Sequence, residues 1–329
     1  MGAYEGGSAG AGAAGPSRTT VRRHLADHPA WSRALGRDGL AARMILPVVV
    51  SASVEDRQRV EGTGHLERLS ITELVRDARA AASAGFAGLL IFGETDRKDA
   101  RAFIASERDH IVTRAIRAVK EAVPELGVAT DVCVCAYTDH GQCVLFREGN
   151  ADVAGTLERL GEIAVVHADA GAELVIPAGM LDGSVAALRA ALAGRHEAVP
   201  VAAMAKLEST LYSMHRLLVG SAWIRERAVP LLAADDPSAS RNRALRDVAD
   251  GADAVIVMPG TPALDIVATL RPLIGRPLIS FHTADEHGVF VMAAEELDDA
   301  PAAERETLAA SRRAGADLII SYGAWNAAD

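Results

Sequence analysis

Three thiols, one amine and a few carboxylate-binding groups occupy positions from which this chain could do chemistry. All three cysteines lie in one stretch, Asp131-Val-Cys133-Val-Cys135-Ala-Tyr-Thr-Asp139-His140-Gly-Gln-Cys143. Read as a strand end, the stretch projects Cys133 and Cys135 from one face, because residues i and i+2 of a strand point the same way. Cys143 then returns from the loop. Three thiolates with a fourth position left open suit a Lewis-acid zinc ion, since soft sulfur favours Zn2+ and three protein ligands leave room for solvent or substrate. The other reading is three buried structural cysteines, which are common in cores. Their confinement to one loop favours the metal. Lys206 follows the apolar run 199–205. An amine held against apolar walls loses proton affinity and can attack a ketone to form a Schiff base. Taken alone, Lys206 reads better as a solvated lysine in the first turn of a helix. Arg216, about three helical turns on, is either a bidentate carboxylate clamp or a surface arginine. Tyr322 is either a ligand-facing or a packed tyrosine.

These groups need a scaffold, and the chain repeats one. Ala84-Gly85-Phe86-Ala87, Ala170-Gly171-Ala172-Glu173, Asp250-Gly251-Ala252-Asp253 and Ala314-Gly315-Ala316-Asp317 each precede a short Val/Ile/Leu-rich run. The pattern is a helix closed by glycine that feeds a strand covered on both faces. By that criterion strands are predicted over 44–52, 88–93, 127–134, 174–178, 199–205, 252–259, 277–283 and 316–322, with amphipathic helices between most of them, among them 70–84 and 111–121. Ser70 and Glu73 are spaced as a capping box. Eight β/α units are the number that closes a (β/α)8 TIM barrel, with an open doubly wound sheet as the alternative. In a barrel the chemistry belongs at the C-terminal strand ends. Those ends carry Cys133, Cys135, Pro177 with Asp182 beyond it, Lys206, Met258, His282 with Asp285, and Tyr322.

Composition removes other classes. The 329 residues are 50% hydrophobic and carry a net charge of -10, from 34 Lys+Arg against 44 Asp+Glu. That is the opposite of the basic footprint nucleic-acid binding needs. The apolar run at 44–50 is far short of the roughly 20 residues of a membrane-spanning helix. An odd number of cysteines argues against a disulfide framework. Residues 1–18 are Gly/Ala-rich without signal-peptide features and are expected to be a disordered tip on a cytoplasmic protein. Residues 19–43, partly helical at 19–25 and 31–35, are expected to form an arm outside the repeat, with the catalytic barrel over 44–329.

TDVCVCAYTDHGQC, VIPAGMLDG, MAKLESTLYSMHR, GADAVIVMPGTPALDIV and GADLIISYGA, in that order and spacing, resemble porphobilinogen synthase (5-aminolevulinate dehydratase) over about 44–324. The resemblance implies a β/α barrel whose N-terminal arm builds homo-oligomers, usually octamers, and a condensation of two 5-aminolevulinate molecules to porphobilinogen with loss of water. It implies that Cys133, Cys135 and Cys143 are zinc ligands and Asp131 an active-site aspartate. Lys206 would form the Schiff base with the second, A-side substrate, and Arg216 would bind that substrate's carboxylate. Tyr322 would bind the carboxylate of the first, P-side substrate.

The chain departs from that pattern on one side. The position of the family's other Schiff-base lysine is Met258, and a thioether cannot form an imine. The family's carboxylate-binding serine is matched by Ala284. Ser-Tyr-Ser-Ala-Lys is here Ala202-Ala203-Met204-Ala205-Lys206, which strips polar groups from around the remaining lysine. The lid after Arg216 lacks the family's phrases but offers Arg225 and Arg227. With A-side groups kept and P-side groups lost, the reading is a zinc-assisted, single-Schiff-base enzyme. It would condense 5-aminolevulinate or a related amino-keto acid through Lys206, with Asp131 or His140 moving protons. His282, Asp285 and His287 are expected near the vacated half-site. The alternatives are authentic porphobilinogen synthesis and a non-catalytic paralogue that assembles with an active subunit.

Overall fold

The computed structural model describes residues 25–63, 65–221 and 227–328. The expected tip, most of the first arm helix and Arg225 lie outside them. Eight parallel strands form the barrel: β1 Met44–Ser51, β2 Gly88–Glu94, β3 Gly127–Val132, β4 Leu174–Pro177, β5 Ala202–Lys206, β6 Ala254–Met258, β7 Leu278–His282 and β8 Leu318–Ser321. Each neighbours the next, and β8 pairs β1 through Met44–Ile319 and Ile45–Ile320. The seam between β4 and β5 is held by a bridge between Val175 and Val201 and by Val175 N–H donating to the Pro200 carbonyl at 3.1 Å. β1, β2, β4, β6, β7 and β8 are buried along their whole length, as the continuous apolar runs predict for strands covered on both faces.

The glycine signal is real. Gly171 and Gly315 cap their helices at φ of 108° and 113°, a left-handed region costly for any residue with a Cβ. The predicted helix 70–84 spans Ile71–Ser83, with Ser70 Oγ accepting from Glu73 N–H at 3.3 Å. Its box is half made. Ser70 N–H donates instead to the Asp56 carbonyl at 2.9 Å, and the Glu73 carboxylate takes Arg57 and Arg76. The complete box is at Thr283 and Glu286, opening helix Ala284–Met292. Two hairpins were not predicted, Arg57–Arg59 with Glu67–Leu69 and Leu145–Arg147 with Asn150–Asp152. Their strands are short and partly exposed, so no apolar alternation marks them. Among the described residues no helix is long and apolar enough to cross a membrane.

The described part of the segment before β1 packs on the barrel floor. Helix Pro29–Leu35 buries Ala30, Trp31 and Ala34, and Leu25 is buried just before it. Trp31 is fully buried and its Nε1 donates to the Glu173 carbonyl at 2.8 Å. Its ring fills the space that side chains at Gly88 and Gly127 would need, since a Cβ there would lie 2.9 and 2.8 Å from Trp31 Cη2. Trp31→Ala is expected to destabilise the fold by about 3–5 kcal/mol, read as a lower urea midpoint. An unchanged midpoint would mean that the floor is held by other contacts.

Candidate active site and metal centre

β3 delivers the cysteine loop to the C-terminal rim. Asp131 lies on the strand, and Cys133 and Cys135 follow at the i+2 spacing predicted to share a face; all three line one cavity with Cys143. The Cys133 and Cys135 Sγ atoms are 3.4 Å apart, and the three sulfurs lie within 4.8 Å of one another. Zinc–thiolate bonds of about 2.3 Å at tetrahedral angles put sulfurs about 3.8 Å apart, so the trio fits such an ion with small adjustments. Hydrogen bonds from Cys133 and Cys135 hold the Cys143 thiol well below its ordinary range, helped by the charges of Lys206 and Arg216. The same sharing, with burial, pushes Cys133 well up. One thiolate is therefore favoured over three when the thiols share protons only among themselves.

Lys206 ends β5 directly beside Met258 at the end of β6, the two being register partners. Its Nζ sits 4.3 Å from the centre of the Tyr212 ring, whose hydroxyl donates to the Leu207 carbonyl at 2.7 Å. Burial lowers the amine's pKa, partly offset by the nearby Cys143. Burial, then the Cys135 charge, raises the Asp131 carboxyl well above the usual carboxylate range. Met204, Met258, Phe92 and Phe281 supply apolar wall. Such a site shifts the amine toward its neutral form and the carboxyl toward its protonated form, the states that attack a ketone and donate a proton.

Helix Ser213–Leu218 closes one side and carries Arg216, which is buried, lines the cavity and donates to the Gly141 carbonyl at 3.0 Å. Both helix ends are held. The Asp285 carboxylate accepts from Ser213 N–H at 3.2 Å, Met214 N–H at 3.1 Å and the Ser213 hydroxyl. Arg68 donates to the Leu217 and Leu218 carbonyls at 3.1 and 2.9 Å. Arg227 lines the cavity as well. Tyr322 is not part of the cavity wall; its hydroxyl lies 2.8 Å from His215 Nδ1, and it is His215 that reaches the cavity.

Several expected polar groups are elsewhere. His282 turns away from the barrel interior and bonds the Ser311 hydroxyl through Nε2 at 2.7 Å, while its neighbour Phe281 faces the cavity, as strand alternation requires. His287 Nδ1 meets the Glu304 carboxylate at 2.9 Å, and Asp285 serves as the helix clamp. These three do not furnish a new half-site. His140 Nδ1 accepts from Gln142 N–H at 3.1 Å and its ring packs on Phe146, outside the cavity wall. Asp182 pairs with Arg243 and Arg246. Sequence reading passed over His215 and Tyr212, although both lie in the run MAKLESTLYSMHR that contains Lys206 and Arg216.

The model of the delta-aminolevulinic acid dehydratase family matches residues 20–329. The Escherichia coli delta-aminolevulinic acid dehydratase is 33% identical over 290 residues, covering 87% of this chain and 89% of that protein. The Synechococcus elongatus protein of the same name is 38% identical over 275 residues, covering 79% and 82%. Among solved structures, the Toxoplasma gondii delta-aminolevulinic acid dehydratase (porphobilinogen synthase), in complex with its reaction product porphobilinogen, superposes with a TM-score of 0.84 at 27% identity, covering 95% of this chain and 91% of that one. The chain belongs to the delta-aminolevulinic acid dehydratase (porphobilinogen synthase) family of lyases.

Proposed function

We propose that the protein condenses 5-aminolevulinate or a closely related amino-keto acid through a single Schiff base on Lys206, assisted by zinc at Cys133, Cys135 and Cys143. The observation that carries this reading is the juxtaposition at the rim: a buried amine and a three-thiol cluster in one cavity, with Met258 as the amine's register partner. The neutral amine attacks the keto carbon and the carbonyl oxygen leaves as water, giving an imine. Asp131, the carboxyl among the described residues that line the cavity, is shifted by burial toward its protonated form and would hand a proton to that departing oxygen. Arg216 and Arg227 supply positive charge for substrate carboxylates. A zinc ion held by the three thiolates would supply Lewis-acid polarisation of a second carbonyl or amine. The other, P-side substrate is bound without a covalent bond, because Met258 has no amine to offer. The family's homo-oligomers, octamers among them, are the expected assembly.

Authentic porphobilinogen synthesis is the second reading. It is favoured by the full-length match to the family and by the likeness to the porphobilinogen-bound relative. The two readings differ in one assay. Incubation with 5-aminolevulinate, followed by borohydride reduction and peptide mass mapping, is expected to place an adduct on Lys206. Porphobilinogen in the unreduced sample would establish the second reading, and an adduct without pyrrole the first.

Lys206→Ala is expected to abolish both adduct and turnover; retention of either would remove Lys206 from the chemistry. Because burial lowers the amine's pKa, adduct formation should reach half its maximal rate at a pH below the roughly 10.4 of an ordinary lysine, falling as acid protonates the amine. A midpoint at the ordinary value would contradict the buried setting. Metal analysis of protein purified without chelator should find about one zinc per chain, lost in the Cys133→Ser and Cys143→Ser variants; equal metal in parent and variants would dismiss the thiol site. Met258→Lys is expected to create or accelerate porphobilinogen formation if the lost amine is what limits it, and to leave it unchanged if the second substrate is held in another way.

A further inference from the structure

His215 stands in the cavity wall with one nitrogen committed and the other available. Its ring is fixed on two sides. Phe92 meets it edge-on with centroids 4.6 Å apart, and the Tyr322 hydroxyl lies 2.8 Å from Nδ1. Among the described residues the Tyr322 hydroxyl and Nδ1 have only each other as partners. A neutral imidazole carries one proton, and where the Tyr322 O–H donates to Nδ1 that proton is on Nε2. Nε2 has no hydrogen-bond partner among the described residues. The neighbouring walls at Met258, Phe281 and Phe92 offer no hydrogen-bond donor of their own.

The backbone that carries His215 is tied down. The three hydrogen bonds to the Asp285 carboxylate hold the first turn of its helix against helix Ala284–Met292. Gly288 leaves room for this contact, since a Cβ there would lie 2.8 Å from the Met214 thioether. Asp285 is thus a positioning residue for His215, and Tyr322 is the hydrogen-bond partner of its Nδ1.

We propose that the Tyr322 hydroxyl donates to His215 Nδ1 and that the Nε2–H this leaves is the hydrogen-bond donor to an oxygen of the other, non-covalently bound amino-keto acid. The assignment rests on the single-Schiff-base reading for the presence of such a second substrate. Burial that holds the imidazole's pKa down to about 4 keeps it in the neutral, donating form near neutral pH.

The test removes the imine and reads the non-covalent contact alone. Zinc-loaded full-length Lys206→Ala protein is titrated calorimetrically with 5-aminolevulinate, alongside the same variant carrying His215→Phe or His215→Gln. Phe keeps the ring shape without a donor, and Gln restores an N–H near the Nε2 position. The expected result is about tenfold weaker binding with Phe and recovery of most of that loss with Gln, all three proteins melting at similar temperatures. Equal affinity with His and Phe, no recovery with Gln, or no binding to Lys206→Ala at all would each overturn the role. The Lys206 reading fails separately, by absence of a borohydride-trapped adduct in the parent, and such a failure leaves the calorimetric comparison standing as a measure of His215.

Discussion

Closure of the parallel strand ladder is the constraint from which the rest of the molecule follows. Once β1 pairs both β2 and β8, and the β4–β5 seam is bridged, every strand ends on the same rim, and residues distant in sequence become neighbours by register. Lys206 and Met258 meet because Ala202 to Lys206 runs in step with Ala254 to Met258. Asp131 and the thiols arrive at the same rim from β3. At the opposite end the same closure leaves a floor that Trp31 fills, and two glycines make space for its ring. A side-chain-filled barrel with chemistry at one end and stability at the other is the division of labour this architecture imposes.

Desolvation then decides the protonation of what reaches the rim. One cause moves Lys206 down, Asp131 up and His215 down, because burial disfavours the charged form of each. The result is a site whose amine and imidazole are shifted toward their neutral forms and whose carboxyl is shifted toward its protonated form. The three thiols share the cavity wall with Arg216 and Arg227, and the charges of Lys206 and Arg216 help to hold the Cys143 thiol low.

The helix between Ser213 and Leu218 shows how such a site is kept in place by groups that never touch it. Asp285 holds its start, and Arg68 its end, where Lys98 also reaches the Gly220 carbonyl. Glu286, next to Asp285, accepts from Gly260 and Thr261 N–H at 3.1 and 2.7 Å and so orders the loop that follows Met258. One short acidic pair at the start of helix Ala284–Met292 thereby orders both the helix that carries Arg216 and the loop that follows Met258.

Much of this was legible in the residues. Val/Ile/Leu runs preceded by glycine-closed helices announce buried parallel strands, because burial on both faces removes the polar alternation and a left-handed helix end admits glycine most readily. The i, i+2 spacing of Cys133 and Cys135, and the placement of Lys206 after an apolar run, point to residues that do line one cavity. What sequence could not decide was which polar residues near a strand end face inward. His282 and Asp285 stand at such an end, yet one turns outward to Ser311 and the other clamps a helix, since a single-residue change in phase sends a side chain to the opposite face. His215 was hidden for the converse reason. Its ring meets the hydroxyl of Tyr322, 107 positions away, and only the closed barrel brings those two rings together.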